Sequence, residues 1–156
     1  MNHTDYMQRA VDLSREKMHE CGGGPFAAVV VMDGKIVGEG WNTVTCGDGP
    51  TAHAEVNAIR DACARLGTFS LEGAAIYTSC EPCPMCLAAI YWARISYIYY
   101  SNTTADAAAI GFDDEFLYSE LSRPAQARSL PCERVHVDDA RAVFAEWDAM
   151  PDKTEY

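Results

Sequence analysis

Basic residues are scarce in this sequence. Twelve Lys and Arg stand against 23 Asp and Glu, which gives a formal net charge of -11 at pH 7. The twelve are scattered along the chain without a cluster, so the sequence lacks the basic footprint that binds a polyanion. An acidic protein can still carry a local basic groove. The composition therefore disfavours a nucleic-acid substrate without excluding it.

Long apolar runs are also missing. None approaches the roughly 20 residues that a membrane-spanning helix needs, and the polar segment Met1–Tyr6 has no apolar core of a secretion signal. We therefore expect a cytoplasmic protein. No internal repeat, linker or low-complexity segment interrupts residues 1–156, and 49% of the residues are hydrophobic, so we expect one globular domain.

The cysteines do not form an obvious disulfide framework. Seven is an odd number, and the best organised of them, at positions 80, 83 and 86, have the spacing of metal ligands. This pattern also suits a reducing compartment.

Two short segments predict a catalytic zinc site: Thr51-Ala52-His53-Ala54-Glu55 and Cys80-Glu81-Pro82-Cys83-Pro84-Met85-Cys86. His53, Cys83 and Cys86 are ligand types that zinc prefers, and three protein ligands leave the fourth tetrahedral position for water. The apolar spacing after His53 predicts a helix that ends at Gly67, and a strand then returns the chain to the same level. Pro84 predicts the start of a second helix, so the ligands should meet at two helix N-termini.

Glu55 indicates what such a zinc ion would do. Hydrolysis of an amine needs a group that carries protons from water to the ring nitrogen and to the leaving ammonia. A glutamate two residues from a ligand is placed for this role, and H-x-E followed by P-C-x-x-C is a general zinc nucleobase deaminase pattern. A structural site with Cys80 as fourth ligand is the alternative, but such a site has no use for Glu55.

The remaining pattern predicts an α/β fold in three layers, αβα, with a five-stranded mixed sheet in the order 2-1-3-4-5. The predicted strands are Phe26–Met32, Lys35–Trp41, Ala74–Ser79, Ile95–Tyr100 and Cys132–Val137. Between the last two strands, 31 residues contain helical stretches at 105–110 and 114–121, which is typical of a crossover between parallel strands. Strands 4 and 5 are therefore predicted to be parallel, and residues 138–150 to form the last helix.

Taken together, these segments make the sequence resemble the cytidine deaminase superfamily and, within it, the bacterial guanine deaminases. The resemblance covers essentially the whole chain. Besides the zinc segments it includes Gly24-Pro25-Phe26, Ala89-Ile90-Tyr91-Trp92-Ala93, Gly111-Phe112-Asp113-Asp114 and Glu155-Tyr156. It implies a cytidine deaminase-like fold that binds one zinc ion per subunit and hydrolyses guanine to xanthine and ammonia, with Glu55 passing protons to ring N3 and to the departing amine.

The resemblance also implies a set of substrate residues. Phe26 and Phe112 match positions that sandwich the base, and Asn42 matches one that hydrogen-bonds it. Asp114 matches a carboxylate near the reacting amino group, and the backbone N–H of Ala54 could donate to a substrate oxygen. Strand packing of Phe26, a turn role of Asn42 and helix capping by Asp114 are the alternatives. Ala27 departs from the glycine of many members.

The resemblance also has an implication for the C-terminus. In guanine deaminases of this type the last segment closes the active site of the partner subunit, so the resemblance implies a homodimer in which residues 138–156 are exchanged and Tyr156 acts in trans.

Other amines remain open as substrates: guanosine, a triazine such as ammeline, cytosine, or adenosine in tRNA. A binding module that holds zinc without turnover is a further alternative, which the presence of Glu55 disfavours.

Overall fold

The protein, described by a computed structural model, is defined from Met1 to Tyr156. Its internal contacts divide the chain into an N-terminal unit, Met1–Phe116, and a C-terminal unit, Leu117–Tyr156. In chain order the elements are α1 (His3–Cys21), β1 (Ala27–Met32), β2 (Lys35–Trp41), α2 (Ala54–Leu66), β3 (Ala75–Cys80), α3 (Pro84–Trp92), β4 (Tyr97–Asn102), α4 (Thr104–Ala109), α5 (Glu115–Ser122), a 3-10 turn (Ala125–Ala127) and α6 (Asp139–Ala149). None of the helices combines the length and the apolar character needed to cross a membrane.

Capping residues mark the helix ends, and two of them, Gly67 and Pro84, lie where the sequence predicts them. A capping box between Asn2 and Asp5 starts α1, and Gly22 ends it in the left-handed conformation, with φ of 66°. Gly67 ends α2 in the same way, also with φ of 66°. Pro84 is the first residue of α3.

One mixed sheet of four strands forms the centre of the N-terminal unit. The order is β2-β1-β3-β4, with β1 antiparallel to both β2 and β3, and with β3 parallel to β4. Asp33 and Gly34 turn β1 into β2 with φ of 50° and 72°, the left-handed pair that a tight two-residue hairpin requires.

The predicted fifth strand, residues 132–137, is wrong. The sheet has the order 2-1-3-4 and not 2-1-3-4-5, and its parallel pair is β3 with β4 rather than a fourth strand with a fifth. The segment has the β-branched residues that favour strands, yet propensity provides no hydrogen-bonding partner. It forms no ladder in this chain and is exposed, with Val135 at 84%.

Both faces of the sheet are covered, which confirms three layers in the N-terminal unit. Successive residues of a strand point to opposite faces. On one face Ala28 and Val30 of β1 pack with α2 and α3. On the other face Val29 and Val31 pack against Tyr6 of α1. The first of these clusters fixes α2 and α3 against the sheet, and the predicted metal ligands lie at the starts of these two helices.

Candidate active site

The three predicted zinc ligands meet at the N-termini of two neighbouring helices. His53 immediately precedes α2, Cys83 immediately precedes α3, and Cys86 lies in the first turn of α3. The chain reaches Cys83 directly from the end of β3, in the middle of the sheet. Their ligand atoms all lie within 4.8 Å of one another. The prediction that distant segments bring these three residues together is confirmed.

The spacing of the ligand atoms fits a tetrahedral zinc ion. His53 Nδ1 lies 3.5 Å from the sulfur of Cys83 and 3.5 Å from that of Cys86. Zinc–sulfur and zinc–nitrogen bonds of about 2.3 and 2.0–2.1 Å at the tetrahedral angle place sulfur and nitrogen about 3.6 Å apart. A donor set of one imidazole and two thiols is also chemically suited to zinc.

The pKa of the Cys83 thiol favours the binding of a cation. Cys86 donates a hydrogen bond to Cys83 and thereby lowers the pKa of the Cys83 thiol to about 4, while the imidazole of His53 acts in the same direction. The same hydrogen bond, together with burial, raises the pKa of Cys86. Both cysteines bind a divalent cation as thiolates, so binding of the cation releases protons.

Cys80 does not join this cluster. Its sulfur donates to the backbone oxygen of Thr103, 3.6 Å away, and burial raises its pKa to about 11. The alternative of a four-ligand structural site with Cys80 therefore loses its fourth ligand.

Glu55 lies beside the ligands in the first turn of α2. Only 6% of the residue is exposed, and burial raises the pKa of its carboxyl group, against an opposing hydrogen bond from its own backbone N–H. The hydroxyl of Thr78 lies 3.4 Å from Glu55 Oε1 and donates at 2.9 Å to the backbone oxygen of Cys80. A buried carboxyl group with a raised pKa, facing a metal-ligand cluster, is suited to exchanging protons.

A cavity of about 440 Å³ opens above the cluster. This volume is within the range of sites that hold small flat ligands. The residues lining it are Gly22, Gly23, Gly24, Pro25, Phe26, Asn42, Val44, Thr45, Pro50, His53, Ala54, Glu55, Cys80, Glu81, Cys83, Ala107, Phe112 and Asp114. Five of the six residues that the resemblance assigns to substrate binding are among them: Phe26, Asn42, Ala54, Phe112 and Asp114. The sixth, Tyr156, belongs to the C-terminal unit, where it is 74% exposed.

The two phenylalanines contact each other at the cavity wall. Their ring centroids are 4.8 Å apart and the rings are nearly perpendicular, at 89°. This edge-to-face pair is not the parallel arrangement that sandwiches a base. Phe112 is 42% exposed and is the ring with room to move. The sandwich therefore stays a prediction that requires Phe112 to turn away from Phe26.

Asn42 and Asp114 offer polar groups to the cavity. Asn42 is buried, and its Oδ1 accepts a hydrogen bond of 3.1 Å from the backbone N–H of Val44, which leaves its amide nitrogen as a donor. Burial raises the pKa of Asp114, and the negative charge of Cys83 adds to this.

Asn57 has a structural role that the sequence pattern did not predict. Its side-chain amide donates to the backbone oxygen of Trp41 at 2.8 Å, to Thr43 Oγ1 at 3.0 Å and to the backbone oxygen of Ala52 at 3.3 Å. It thereby fixes both ends of the loop that carries Asn42. A polar residue four positions after His53, on the same face of α2, was the available signal.

The structure also contains a disulfide between Cys21 and Cys46, which the cysteine pattern did not predict. Residues 25 positions apart in sequence carry no spacing signal for such a pair, because only the fold brings the end of α1 to this loop.

The family can be stated from the first 102 residues. A family model described as "Cytidine and deoxycytidylate deaminase zinc-binding region" matches residues 1–102. The chain belongs to this cytidine deaminase family. The match contains both zinc segments and Glu55, as the resemblance implied.

Relatives within the family extend the likeness to the whole chain. The sequence is 49% identical to the guanine deaminase of Bacillus subtilis (strain 168) over 156 residues, which is 100% of each chain. The X-ray structure of that protein superposes with a TM-score of 0.96 over 100% of this chain and 99% of that chain. A tRNA-specific adenosine deaminase of Agrobacterium fabrum is 42% identical over 86 residues, which is 55% of this chain and 57% of the relative.

A further solved relative binds purine analogues. The protein NE0047, solved in complex with 2,6-diaminopurine, is 33% identical and superposes with a TM-score of 0.66 over 70% of this chain and 61% of that chain.

Proposed function

We propose that this protein is a zinc-dependent guanine deaminase, which hydrolyses guanine to xanthine and ammonia. The observation that carries the proposal is the buried carboxyl group of Glu55 beside a zinc-type ligand cluster, at the floor of one cavity. The full-length likeness to a guanine deaminase selects the substrate within the family. Purine catabolism in the cytoplasm is the corresponding role.

His53, Cys83 and Cys86 would hold one zinc ion per subunit. A zinc ion bound there supplies Lewis acidity, which makes water a nucleophile near neutral pH. Glu55 accepts a proton from the attacking water and passes it to N3 of guanine while C2 becomes tetrahedral. Glu55 then moves the second water proton to the amino group at C2, which leaves as ammonia. Both protons of water are accounted for in xanthine and ammonia.

The cavity residues supply the orientation of the base. The Asn42 amide can donate to an acceptor on the purine ring, and the N–H of Ala54, in the first turn of α2 where no helical partner exists, can donate to a second acceptor. Asp114 accepts hydrogen bonds from the amino group when its carboxyl group is ionised. Phe112 closes over the base once it turns away from Phe26.

Fewer features of the chain support the alternative substrates. Adenosine in tRNA requires a phosphate-binding surface, whereas this protein has a net charge of -11, and the tRNA-specific relative covers only 55% of the chain. Guanosine, ammeline and cytosine share the chemistry and differ in shape, so they belong in the assay. A zinc-holding module without turnover would leave the buried Glu55 unexplained.

We extend the proposal to a homodimer that exchanges C-terminal segments. Strand β4 is an edge of the sheet, and Tyr97 and Tyr100 on it are exposed. Residues 132–137 have strand-like sequence but no strand partner in their own chain. In α6, Val143, Phe144 and Trp147 form an exposed apolar stripe.

A second copy of the chain satisfies these surfaces together, because an extended segment can extend a sheet edge and an apolar helix face needs cover. In this arrangement Tyr156 would reach the partner's cavity.

Ammonia release tests the function directly. Protein of measured zinc content is assayed on guanine, guanosine, ammeline, cytosine, adenine and tRNA, and guanine is expected to be turned over best. Glu55→Gln is expected to lower guanine turnover by about 10³-fold while zinc content is unchanged, because the amide cannot carry the proton. Turnover of another amine but not of guanine would refute the substrate, and normal turnover by Glu55→Gln would refute the mechanism.

A further inference from the structure

The disulfide between Cys21 and Cys46 lies at the rim of the active-site cavity. Cys21 is the last residue of α1, and Cys46 lies in the loop between β2 and α2. Their sequence neighbours Gly22 and Thr45 both line the cavity. The bond therefore joins two neighbouring segments of the cavity wall, here called the α1 segment (residues 21–25) and the β2–α2 loop (residues 42–52).

The base of these two segments is held without the disulfide. The backbone N–H of Asn42 donates to Phe26 at 3.0 Å, and Gly23 is packed so closely that a Cβ there would lie 2.5 Å from the backbone oxygen of Asn42. Asn57 binds Thr43 and Ala52 at the two ends of the loop. These contacts fix the position of Asn42 in either redox state.

The middle of the loop depends on the disulfide. Hydrogen bonds from Gly47 to Thr43 and from Gly49 to Val44 stay within the loop and do not attach it to the α1 segment. Besides the disulfide, an exposed hydrogen bond of 3.1 Å from Thr45 Oγ1 to the oxygen of Gly22 joins the two segments at this level. A single exposed hydrogen bond contributes little, because water competes for both partners.

The bond is accessible to small thiols. Cys46 is exposed and Cys21 is partly exposed. Neither residue belongs to the metal cluster. Disulfides that a thiolate can reach are the ones that exchange readily.

We propose that Cys21 and Cys46 are a redox modification site that sets the affinity of the cavity for its purine substrate. A small-molecule thiolate attacks the sulfur of Cys46, Cys21 leaves as a thiolate, and a mixed disulfide forms. A second small thiolate attacks the small molecule's sulfur in that mixed disulfide and releases Cys46. The two cysteines are reduced, each gaining a proton, and two small thiols are oxidised to one disulfide. A small disulfide reverses these steps.

Reduction releases the β2–α2 loop from the α1 segment, but it does not displace Glu55 or the zinc ligands. The substrate must then order the β2–α2 loop when it binds, and this cost appears in KM. Glu55 and the zinc ligands are held by α2 and α3, so kcat and zinc content are expected to be unchanged. The kinetic part of this inference rests on the proposed guanine deaminase function.

The experiment compares protein equilibrated with oxidised glutathione and with reduced glutathione, each checked by alkylation and mass spectrometry and by zinc content. KM for guanine is expected to rise roughly three- to tenfold on reduction, with kcat constant. The double variant Cys21→Ser with Cys46→Ser should show the raised KM in both conditions. The control Cys63→Ser, at a free cysteine outside the cavity lining and the metal cluster, should respond as the wild type does.

Two results would overturn the proposal: equal KM values in the two states after proven conversion, or free thiols at both positions after treatment with oxidised glutathione. Hydrogen exchange of residues 43–49 separates this failure from failure of the proposed function. If guanine is not turned over in either state, faster hydrogen exchange on reduction still supports the conclusion that the disulfide holds the β2–α2 loop. Unchanged exchange refutes that conclusion.

Discussion

The two units of this chain differ in how they bury their side chains. The N-terminal unit covers both faces of its sheet with helices and has two apolar clusters. In the C-terminal unit one residue is buried, and it is the polar Glu120, at 9% exposure. A unit with its own core can hold a metal-ligand cluster in fixed geometry, whereas a unit with exposed apolar side chains carries surface for another molecule.

Local polar contacts hold the C-terminal unit instead of a core. The carboxylate of Glu120 accepts hydrogen bonds from the backbone and hydroxyl of Ser129, at 2.7 and 2.8 Å, and from Arg123 at 3.0 Å. The Arg123–Glu120 pair is partly exposed, where such bonds contribute little to stability. Apolar side chains as exposed as Phe144, at 78%, are therefore the main unsatisfied feature of this unit.

The largest effect is expected from a ligand in the N-terminal unit. Cys83→Ser removes a thiolate that zinc prefers, so zinc content should fall and guanine turnover should drop by about 10³-fold or more. Metal analysis and ammonia release measure this. Cys63→Ser, at a free cysteine of the same unit outside the cluster, is the matched control, and an equal loss in both variants would contradict the assignment of Cys83 as a ligand.

A large loss of stability is expected where α2 meets the sheet. A Cβ on Gly40 would lie 2.2 Å from the backbone nitrogen of Ala58 and 2.3 Å from the backbone oxygen of Ala54. Gly40→Ala should therefore lower the free energy of unfolding by about 3 kcal/mol. Denaturant titration measures it. Gly49→Ala is the control, because its added methyl group would be in ordinary contact, 3.5 Å from Ala52; a small effect at Gly40 would show that the helix can shift.

Removal of residues 153–156 tests whether the C-terminal unit contributes to catalysis. If the tail closes a partner's cavity, guanine turnover should fall by roughly 10²-fold, while zinc content and thermal stability stay near those of the full chain. Ammonia release, metal analysis and a melting curve measure the three quantities. Unaffected turnover would refute a role for Tyr156.

The smallest of these effects concerns association. Phe144→Ser removes an apolar side chain that is exposed in the single chain, so the stability of the monomer should change little while the dissociation constant of the proposed dimer rises about tenfold. Analytical ultracentrifugation measures it. Ala145→Ser, on the side of α6 away from this stripe, serves as the control; equal dissociation constants for both variants would remove the stripe from the interface.

Local patterns were sufficient for most of the site. The meeting of His53, Cys83 and Cys86 could be predicted because ligand chemistry and helix starts are encoded within a few residues, whereas the roles of these residues and of Glu55 stay predictions. The fifth strand could not be predicted correctly, since residues 132–137 have the composition of a strand and no partner in their own chain. The role of Asn57 and the edge-to-face contact of Phe26 with Phe112 depend on neighbours distant in sequence.

The sequence by itself determined the donor set, the helix ends at Gly22 and Gly67, and the hairpin at Asp33-Gly34, because each depends on the chemistry or backbone preference of adjacent residues. Tertiary structure alone decided that β3 and β4 form the parallel pair, that Cys80 turns away from the metal cluster, and that Cys21 meets Cys46. These features are contacts between segments far apart in the chain, and their geometry exists only once the sheet has brought those segments together.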